Sequence, residues 1–361
     1  MQTVNTDNVE NKIGTSKIAV DMHLKSFRIV RQLDYGQPQP AQKFAPEEFY
    51  PWLEKEVKKA GRVVVCYEAG CFGYGPARRM QRLGAEVLVI APQNWDEQSK
   101  RQVNDKLDAQ VMCRRLSDYL SGHGKALSVV RIPTPEEEQR RAEGRLRGQL
   151  AGEVRRLRSM GRSLMLAQGL AIRGRWWVGQ SWARIQQAMA PWVVEQLAVH
   201  KQVILVLEQH VKALEARLKA TGPQKKLFVG EGELTAELLD RELIDLNRFT
   251  NSRQVGNYFG LCPSESSSGE KRFLGSITKH GSPRLRSLMI QLAWRVVGFQ
   301  PEYRGMQRWK EVLGAKAQKS SPSARKKAIV ALARRLAVDL WRMRTGRATA
   351  EELGLQMRQS A

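Results

Sequence analysis

Four carboxylates and a run of serines are the residues whose types and spacing could carry out chemistry on a phosphodiester. Asp105 and Asp108 stand three apart in KRQVNDKLDAQVMCRR, residues 100–115. On a helix an i,i+3 pair shares one face, and two like charges that close repel unless a cation lies between them or water screens them. Lys100, Arg101, Lys106, Arg114 and Arg115 flank the pair and would attract a polyanion. Carboxylates for a metal, set in a field that gathers phosphates, suit an enzyme that cuts phosphodiesters. The competing reading is a solvated helix face of mixed charge, because short motifs match by chance. Asp21 and Glu68 alter that balance. Each directly follows an apolar run, Ile18-Ala19-Val20 and RVVVCY, and sites form at strand ends in open α/β sheets. Singly, Asp21 fits a turn and Glu68 a cap before glycine. As four acids in series they predict a metal site.

The second candidate is LCPSESSSGEKRFLGSITKHGSPRLRSLMIQLAW, residues 261–294. Ser266, Ser267 and Ser268 precede Gly269, and Lys271, Arg272, Lys279, Arg284 and Arg286 follow closely. A hydroxyl on a glycine-flanked turn, ringed by cations, could bind a phosphate or attack one. A flexible Ser/Gly loop on a basic surface is the alternative. Farther on, Lys326, Lys327, Arg334 and Arg335 lie in a basic helical stretch and read as phosphate contacts.

The elements that must position these groups fall into two kinds. Residues 1–16 are polar and aperiodic, and are expected to be disordered. Residues 17–132 alternate strand-like runs (18–20, 27–30, 62–67, 86–92) with helical patterns (46–60, 76–83, 100–120), which predicts an α/β domain. Residues 133–222 are helical. Val193, Leu197, His200, Ile204, Leu207, Val211, Leu214 and Leu218 step alternately by four and three, the pattern of a coiled-coil seam. Two such helices fold back on each other or pair between protomers, with Trp176, Trp177 and Trp182 filling the apex or stacking on a base. Residues 223–361 read as mainly helical.

Composition narrows the partners. The chain has 361 residues, with 60 Lys+Arg against 36 Asp+Glu and a formal charge of +24, which points to nucleic acid. No apolar run is long enough to span a bilayer, and the first residues lack the pattern of a secretory signal. Cys66, Cys71, Cys113 and Cys262 are scattered without a CxxC pair, which argues against a zinc site or a disulfide frame and fits a reducing cytoplasm.

With acids and serines both in view, the chain resembles bacterial insertion-sequence transposases that join an N-terminal RuvC-like DEDD domain to a C-terminal serine-bearing transposase domain. The resemblance rests on Asp21 in AVDMHLKS, Glu68 in CYEAG, Asp105 and Asp108 in NDKLDA, and on RFTNSRQVGNYFGLCPSESSSG and GSITKHGSPRLRSLMIQLAW. It spans about residues 17 to 300. It implies an RNase-H-like fold for residues 17–132 with Asp21, Glu68, Asp105 and Asp108 binding a divalent metal, Mg2+ or Mn2+. It also implies a serine nucleophile that links covalently to DNA; by motif this is Ser268, with Ser267 one position away. Further implications are a structured guide RNA pairing with donor and target DNA, a dimer or tetramer held through the coiled coil, and a nucleoid-associated cytoplasmic protein. Where relatives often have a Gly-Val-Gly hairpin this chain has GEGELTA, with Glu231 in the middle, so that element is expected to meet DNA differently. Asn104 stands where relatives often have Thr. A metal-dependent junction nuclease using water, and a non-catalytic nucleic-acid-binding protein, are the alternatives.

Overall fold

A computed structural model describes residues 13–92, 105–221, 226–268, 271–314 and 320–359. The chain divides into two compact units, Met1–Thr134 and Pro135–Ala361.

The first unit is built on β1 (Ile13–Met22), β2 (Phe27–Leu33), β3 (Gln42–Phe44), α1 (Pro46–Lys59), β4 (Ala60–Glu68), α2 (Gly75–Arg82), β5 (Glu86–Ile90), α3 (Asp105–Leu120) and β6 (Val129–Val130). The six strands form one sheet in the order β3-β2-β1-β4-β5-β6. Strands β1, β4 and β5 run parallel, whereas β2, β3 and β6 are antiparallel to their neighbours. The apolar run of β4 behaves as a strand covered on both faces should: Val63 to Tyr67 are all buried. Strand alternation then sorts the core into two layers. Ile18, Val20, Val63, Val65 and Tyr67 pack with Phe49 and Leu53 of α1 and Met80 of α2. Ala19, Val64 and Cys66 face the other way, onto Ala109, Met112, Cys113 and Leu116 of α3.

Strand β1 begins at Ile13, and Ser16 is fully buried. The expectation of disorder as far as residue 16 is therefore corrected. These residues are polar in sequence yet pair with Arg62 and Val63 of β4, so backbone pairing draws them into the sheet. The segment 93–104, including Lys100, Arg101 and Asn104, lies outside the described residues.

The second unit opens with α4 (Pro135–Ala167), α5 (Gly179–Ala188) and α6 (Pro191–Ala220). Helices α4 and α6 pack against each other within the chain. On α6, the buried residues Val193, Leu197, Ile204, Leu214 and Leu218 all belong to the seam read from the sequence. Trp176 and Trp177 are fully buried among these helices, edge to face at 5.8 Å. Their indole N–H groups donate to the Arg158 carbonyl and to Glu208. Trp182 is half-buried, with Lys201 Nζ 4.4 Å from its ring.

Helices α7 (Glu233–Leu243), α8 (Ser252–Tyr258), α9 (Pro283–Phe299), α10 (Lys310–Leu313), α11 (Pro322–Arg344) and α12 (Ala350–Leu353) complete the unit, with the two-stranded ribbon β7 (Pro263–Ser268) and β8 (Lys271–Ile277). Their core runs from Phe228 and Leu239 through Met289, Leu292 and Val296 to Leu332, Leu336 and Trp341. Ion pairs fasten α7 to residues of the α4–α6 hairpin. Arg241, 1% exposed at its side chain, donates to Glu237 at 2.6 Å, Glu143 at 2.8 Å and Thr221 Oγ1 at 2.8 Å. A buried guanidinium needs such partners on every side, since an unpaired one would be prohibitively costly.

Candidate active site and nucleic-acid interface

Asp21 and Glu68 lie at the carboxyl ends of neighbouring parallel strands. Val20 pairs with Tyr67 in register, so the two acids follow at the same level. Their side follows from alternation. Because Ala19 and Cys66 belong to the α3 layer, Asp21 and Glu68, each two residues on, belong to it too. Asp21 accepts from or shares a proton with His23 at 3.1 Å, and both side chains are part-exposed.

Contacts at the far end fix how α3 crosses this face. Lys17 Nζ donates to Ser117 Oγ at 2.8 Å, and the Cys113 thiol lies 3.9 Å from the Lys17 carbonyl. Asp108 precedes Ser117 by nine residues, about 13.5 Å of helix. Asp21 follows Lys17 by four, about 13 Å of strand. The half-buried Asp108 is thus level with the Asp21–Glu68 edge. Asp105 is the first residue of α3, one turn nearer the helix start; its side chain lies outside the described residues. Backbone geometry therefore sets Asp21 and Glu68 at one strand end with Asp108 at the same level along α3, where nine residues, two and a half turns, place it on the opposite side of the helix from Ser117. Among the described residues, no three His, Cys, Asp or Glu side chains are close enough to form a ready metal cluster. Carboxylate oxygens are hard donors, of the kind that suit Mg2+ or Mn2+.

The layer beneath the acids is dry. Burial pushes the Cys113 thiol up to about 12, and burial raises the Cys66 thiol as well. The loop after Glu68 is tied down by Tyr67, whose hydroxyl donates to the Gly73 carbonyl at 2.8 Å and is pushed up to about 12 by burial. Gly73 takes φ 60°, a value only glycine adopts freely.

In the second unit the serines stand on a regular element. They end β7 and pair with β8: Ser266 with Phe273, Ser267 with Arg272 and Ser268 with Lys271. Ser266 is exposed. Gly269 and the side chains of Ser267, Ser268, Lys271 and Arg272 lie outside the described residues.

The basic residues divide by surroundings. Lys279, Arg284, Lys326 and Lys327 are exposed. Arg286 folds back, with NH1 on the Lys279 carbonyl at 3.2 Å, and braces the turn where Lys279 takes φ 59°. Arg335 has a side chain 48% exposed, with its Nε 2.8 Å from the buried Asp339, which also accepts from the Tyr303 hydroxyl at 2.8 Å. Arg334 is half-buried beside Gly256. Glu231 is likewise turned inward: it is 1% exposed and pairs with Arg344 at 2.9 Å. Burial raises its carboxyl despite that arginine. The GEGELTA segment thus carries a core ion pair at Glu231.

Residues that the sequence did not single out are Phe273 and Leu274, which leave 63% and 57% of their surface exposed on the ribbon. Their signal was present as two large apolar residues between cations and glycine. Among the described residues no helix is long and apolar enough to cross a membrane.

Three relatives set the class. The chain is 29% identical to y4rJ, a Sinorhizobium fredii protein described as a transposase, over 77% of this chain and 76% of that one. It is 26% identical to the transposase for insertion sequence element IS1328 of Yersinia enterocolitica, over 76% and 82% respectively. It is 26% identical to the transposase for IS1111A of Coxiella burnetii, over 59% and 60%. The chain is thus a relative of insertion-sequence transposases. More narrowly, residues 228–307, which include the serine ribbon and α9, match the Transposase IS116/IS110/IS902 family.

Proposed function

We propose that this protein cuts and rejoins DNA for an insertion sequence, with a serine of the β7–β8 ribbon as nucleophile and the acids of the first unit as its electrostatic partner. The observation that carries the reading is the shared sheet face of Asp21 and Glu68, with Asp108 at the same level along α3. The strand order, with parallel β1-β4-β5 beside antiparallel β2 and β3, supports an RNase-H-like, RuvC-like identity for this unit. Asp21, Glu68, Asp105 and Asp108 would hold a divalent cation, which when bound neutralises charge on the scissile phosphate.

Serine chemistry then balances without an external energy source. The Ser268 hydroxyl loses its proton and its oxygen bonds to phosphorus. The DNA oxygen leaves, takes up a proton and becomes a free hydroxyl. The reverse attack by a hydroxyl of the other DNA releases the serine and reseals the backbone. The basic charge of the chain suits donor and target DNA, and a structured guide RNA is the proposed source of target choice. The acids and the serine belong to separate units, so an oligomer in which one protomer's acids serve another's serine fits the design. A cytoplasmic, nucleoid-associated location follows from that role.

The test is a suicide DNA substrate spanning the boundary of the insertion element. Wild-type protein is expected to yield a denaturant-stable protein–DNA adduct that Ser268→Ala abolishes and Ser267→Ala retains. Asp21→Asn and Glu68→Gln are each expected to slow adduct formation by about a hundredfold or more. Cleavage that persists in Ser268→Ala without an adduct would establish water as nucleophile. Full activity in the Asp105→Ala, Asp108→Ala double variant would remove the carboxylates from the chemistry.

A further inference from the structure

The serine ribbon carries a feature that nucleophilic chemistry does not need. Phe273 and Leu274 are adjacent on β8 and both largely exposed, 63% and 57%. Adjacent strand residues face opposite ways, so the ribbon presents an apolar group on each face. A two-stranded ribbon is marginal by itself, and a partner that covered one of these groups would steady it.

Register separates the two faces. Phe273 pairs with Ser266, and Lys271 pairs with Ser268, so alternation assigns these four positions to one face. Leu274 pairs with Glu265, and Arg272 with Ser267, which assigns these four to the other. By position, the Phe273 face holds one basic residue, Lys271, and no acid. The Leu274 face holds the acid Glu265 together with the basic Arg272, so its formal charge sums to zero. Charge therefore selects Phe273 as the residue that meets DNA. It stands two strand residues from Lys271, the partner of Ser268, about 7 Å along the ribbon. Bases along a DNA strand repeat every ~3.4 Å. A phenyl ring at that offset reaches a base one or two steps from a phosphate held at Ser268.

We propose that Phe273 is a base-stacking wedge: it lies against a nucleobase within two steps of the attacked phosphate and holds that DNA step unstacked. Apolar side chains inserted at base steps kink the duplex, and an opened step frees the adjoining phosphate to turn towards the serine. Phe273 is thus a positioning residue. The inference rests on the ribbon meeting DNA as proposed above. It also couples the wedge to the nucleophile, since Phe273 shares a face with Ser268 and Leu274 with Ser267.

The test uses the whole 361-residue chain and a duplex spanning the element boundary, with 2-aminopurine placed in turn at positions around the joint. Wild type and Ser268→Ala are expected to raise fluorescence at a position within two steps of the joint. Phe273→Ala is expected to lose that rise and to weaken boundary binding by about tenfold to a hundredfold. Phe273→Trp is expected to restore both, which a merely structural role would not. Leu274→Ala is expected to keep the signal. An unchanged signal in Phe273→Ala, or loss of it in Leu274→Ala alone, overturns the wedge. A change of oligomer size in Phe273→Ala with unchanged fluorescence also overturns it, because the ring would then cover a second copy of the chain. The adduct assay is read separately: an adduct without a Phe273-dependent signal removes the wedge and leaves the serine chemistry. A Phe273-dependent signal without an adduct keeps the wedge and removes the serine chemistry.

Discussion

Gly161 offers a test in which the sign of the effect is at stake. In the interior of a helix, Gly→Ala ordinarily stabilises by about 1 kcal/mol. Gly161 is buried within α4, and a Cβ built there would stand 2.2 Å from Trp176 Cζ2, 2.8 Å from Cε2 and 2.9 Å from Cη2. Carbon atoms in contact prefer about 3.5–4.0 Å, so the indole must move. Trp176 is fully buried and its Nε1 donates to the Arg158 carbonyl at 3.1 Å. Overpacking of this kind costs about 1–3 kcal/mol, and losing the hydrogen bond adds about 1 kcal/mol. Set against the helix gain, Gly161→Ala is expected to destabilise by about 1–3 kcal/mol. Gly148 in the same helix is exposed, and a Cβ there meets nothing within 4 Å; Gly148→Ala is therefore expected to stabilise by about 0.5–1 kcal/mol. Urea titration reads the net change. Amide hydrogen exchange on peptides covering residues 154–180 then shows whether the loss is local to the hairpin. A gain of stability in Gly161→Ala equal to that in Gly148→Ala would refute the packing argument.

Two further outcomes follow from buried groups. Arg241→Met removes the buried partner of Glu237, whose side chain is 3% exposed and which keeps Arg140 at 3.2 Å; it is expected to cost about 1.5–3 kcal/mol in a urea titration. Arg62→Met, at a surface pair whose side chains are 49% and 56% exposed, is expected to cost under about 1 kcal/mol. The raised groups of the first unit set an alkaline limit. Cys113 is lifted by burial from 9.0 to about 12 and Tyr67 from 10.0 to about 12. The folded state therefore keeps protons that the unfolded state has released, and stability falls as pH rises through that window. The unfolding midpoint of this unit is expected to hold steady below about pH 9 and decline from there towards about pH 12. In a thiol-labelling experiment at neutral pH, Cys71, which is exposed, is expected to react before the buried Cys66, Cys113 and Cys262.

The first unit was legible because its signals are local. Runs such as RVVVCY announce buried strands, and an acid straight after such a run announces a sheet edge. The α6 seam was legible for the same reason: its period is written in one continuous helix. The serine ribbon was not. PSESSS lacks apolar alternation, serine is no strong strand former, and the strand exists because KRFLGSI pairs with it. The edge strand β6, two residues long, leaves too little pattern to find. Glu231 shows the remaining limit. Its partner Arg344 lies 113 residues away, and no local pattern distinguishes a buried acid in an ion pair from one facing solvent.

The same limit applies to cations and bears on which of them hold DNA. A formal charge of +24 treats every arginine alike, yet many in the second unit are engaged within the fold. Arg145 forms a two-pronged pair with Glu242, Arg147 pairs with Glu215, and Arg335 pairs with Asp339. Lys326 and Lys327 are exposed near the start of α11, where a helix carrying no first-turn acid presents both positive side chains and backbone N–H groups. Removing a lysine that neutralises one phosphate lowers the slope of log K against log salt by about 1. Lys326→Ala and Lys327→Ala are each expected to do so in fluorescence-anisotropy titrations with duplex DNA, without loss of stability. Arg335→Ala is expected to leave the slope unchanged and to lower stability, since it strips a partner from Asp339, which is 0% exposed. The opposite assignment, a shallower slope for Arg335→Ala and none for Lys326→Ala or Lys327→Ala, would mean that Arg335 leaves Asp339 for a phosphate when DNA binds.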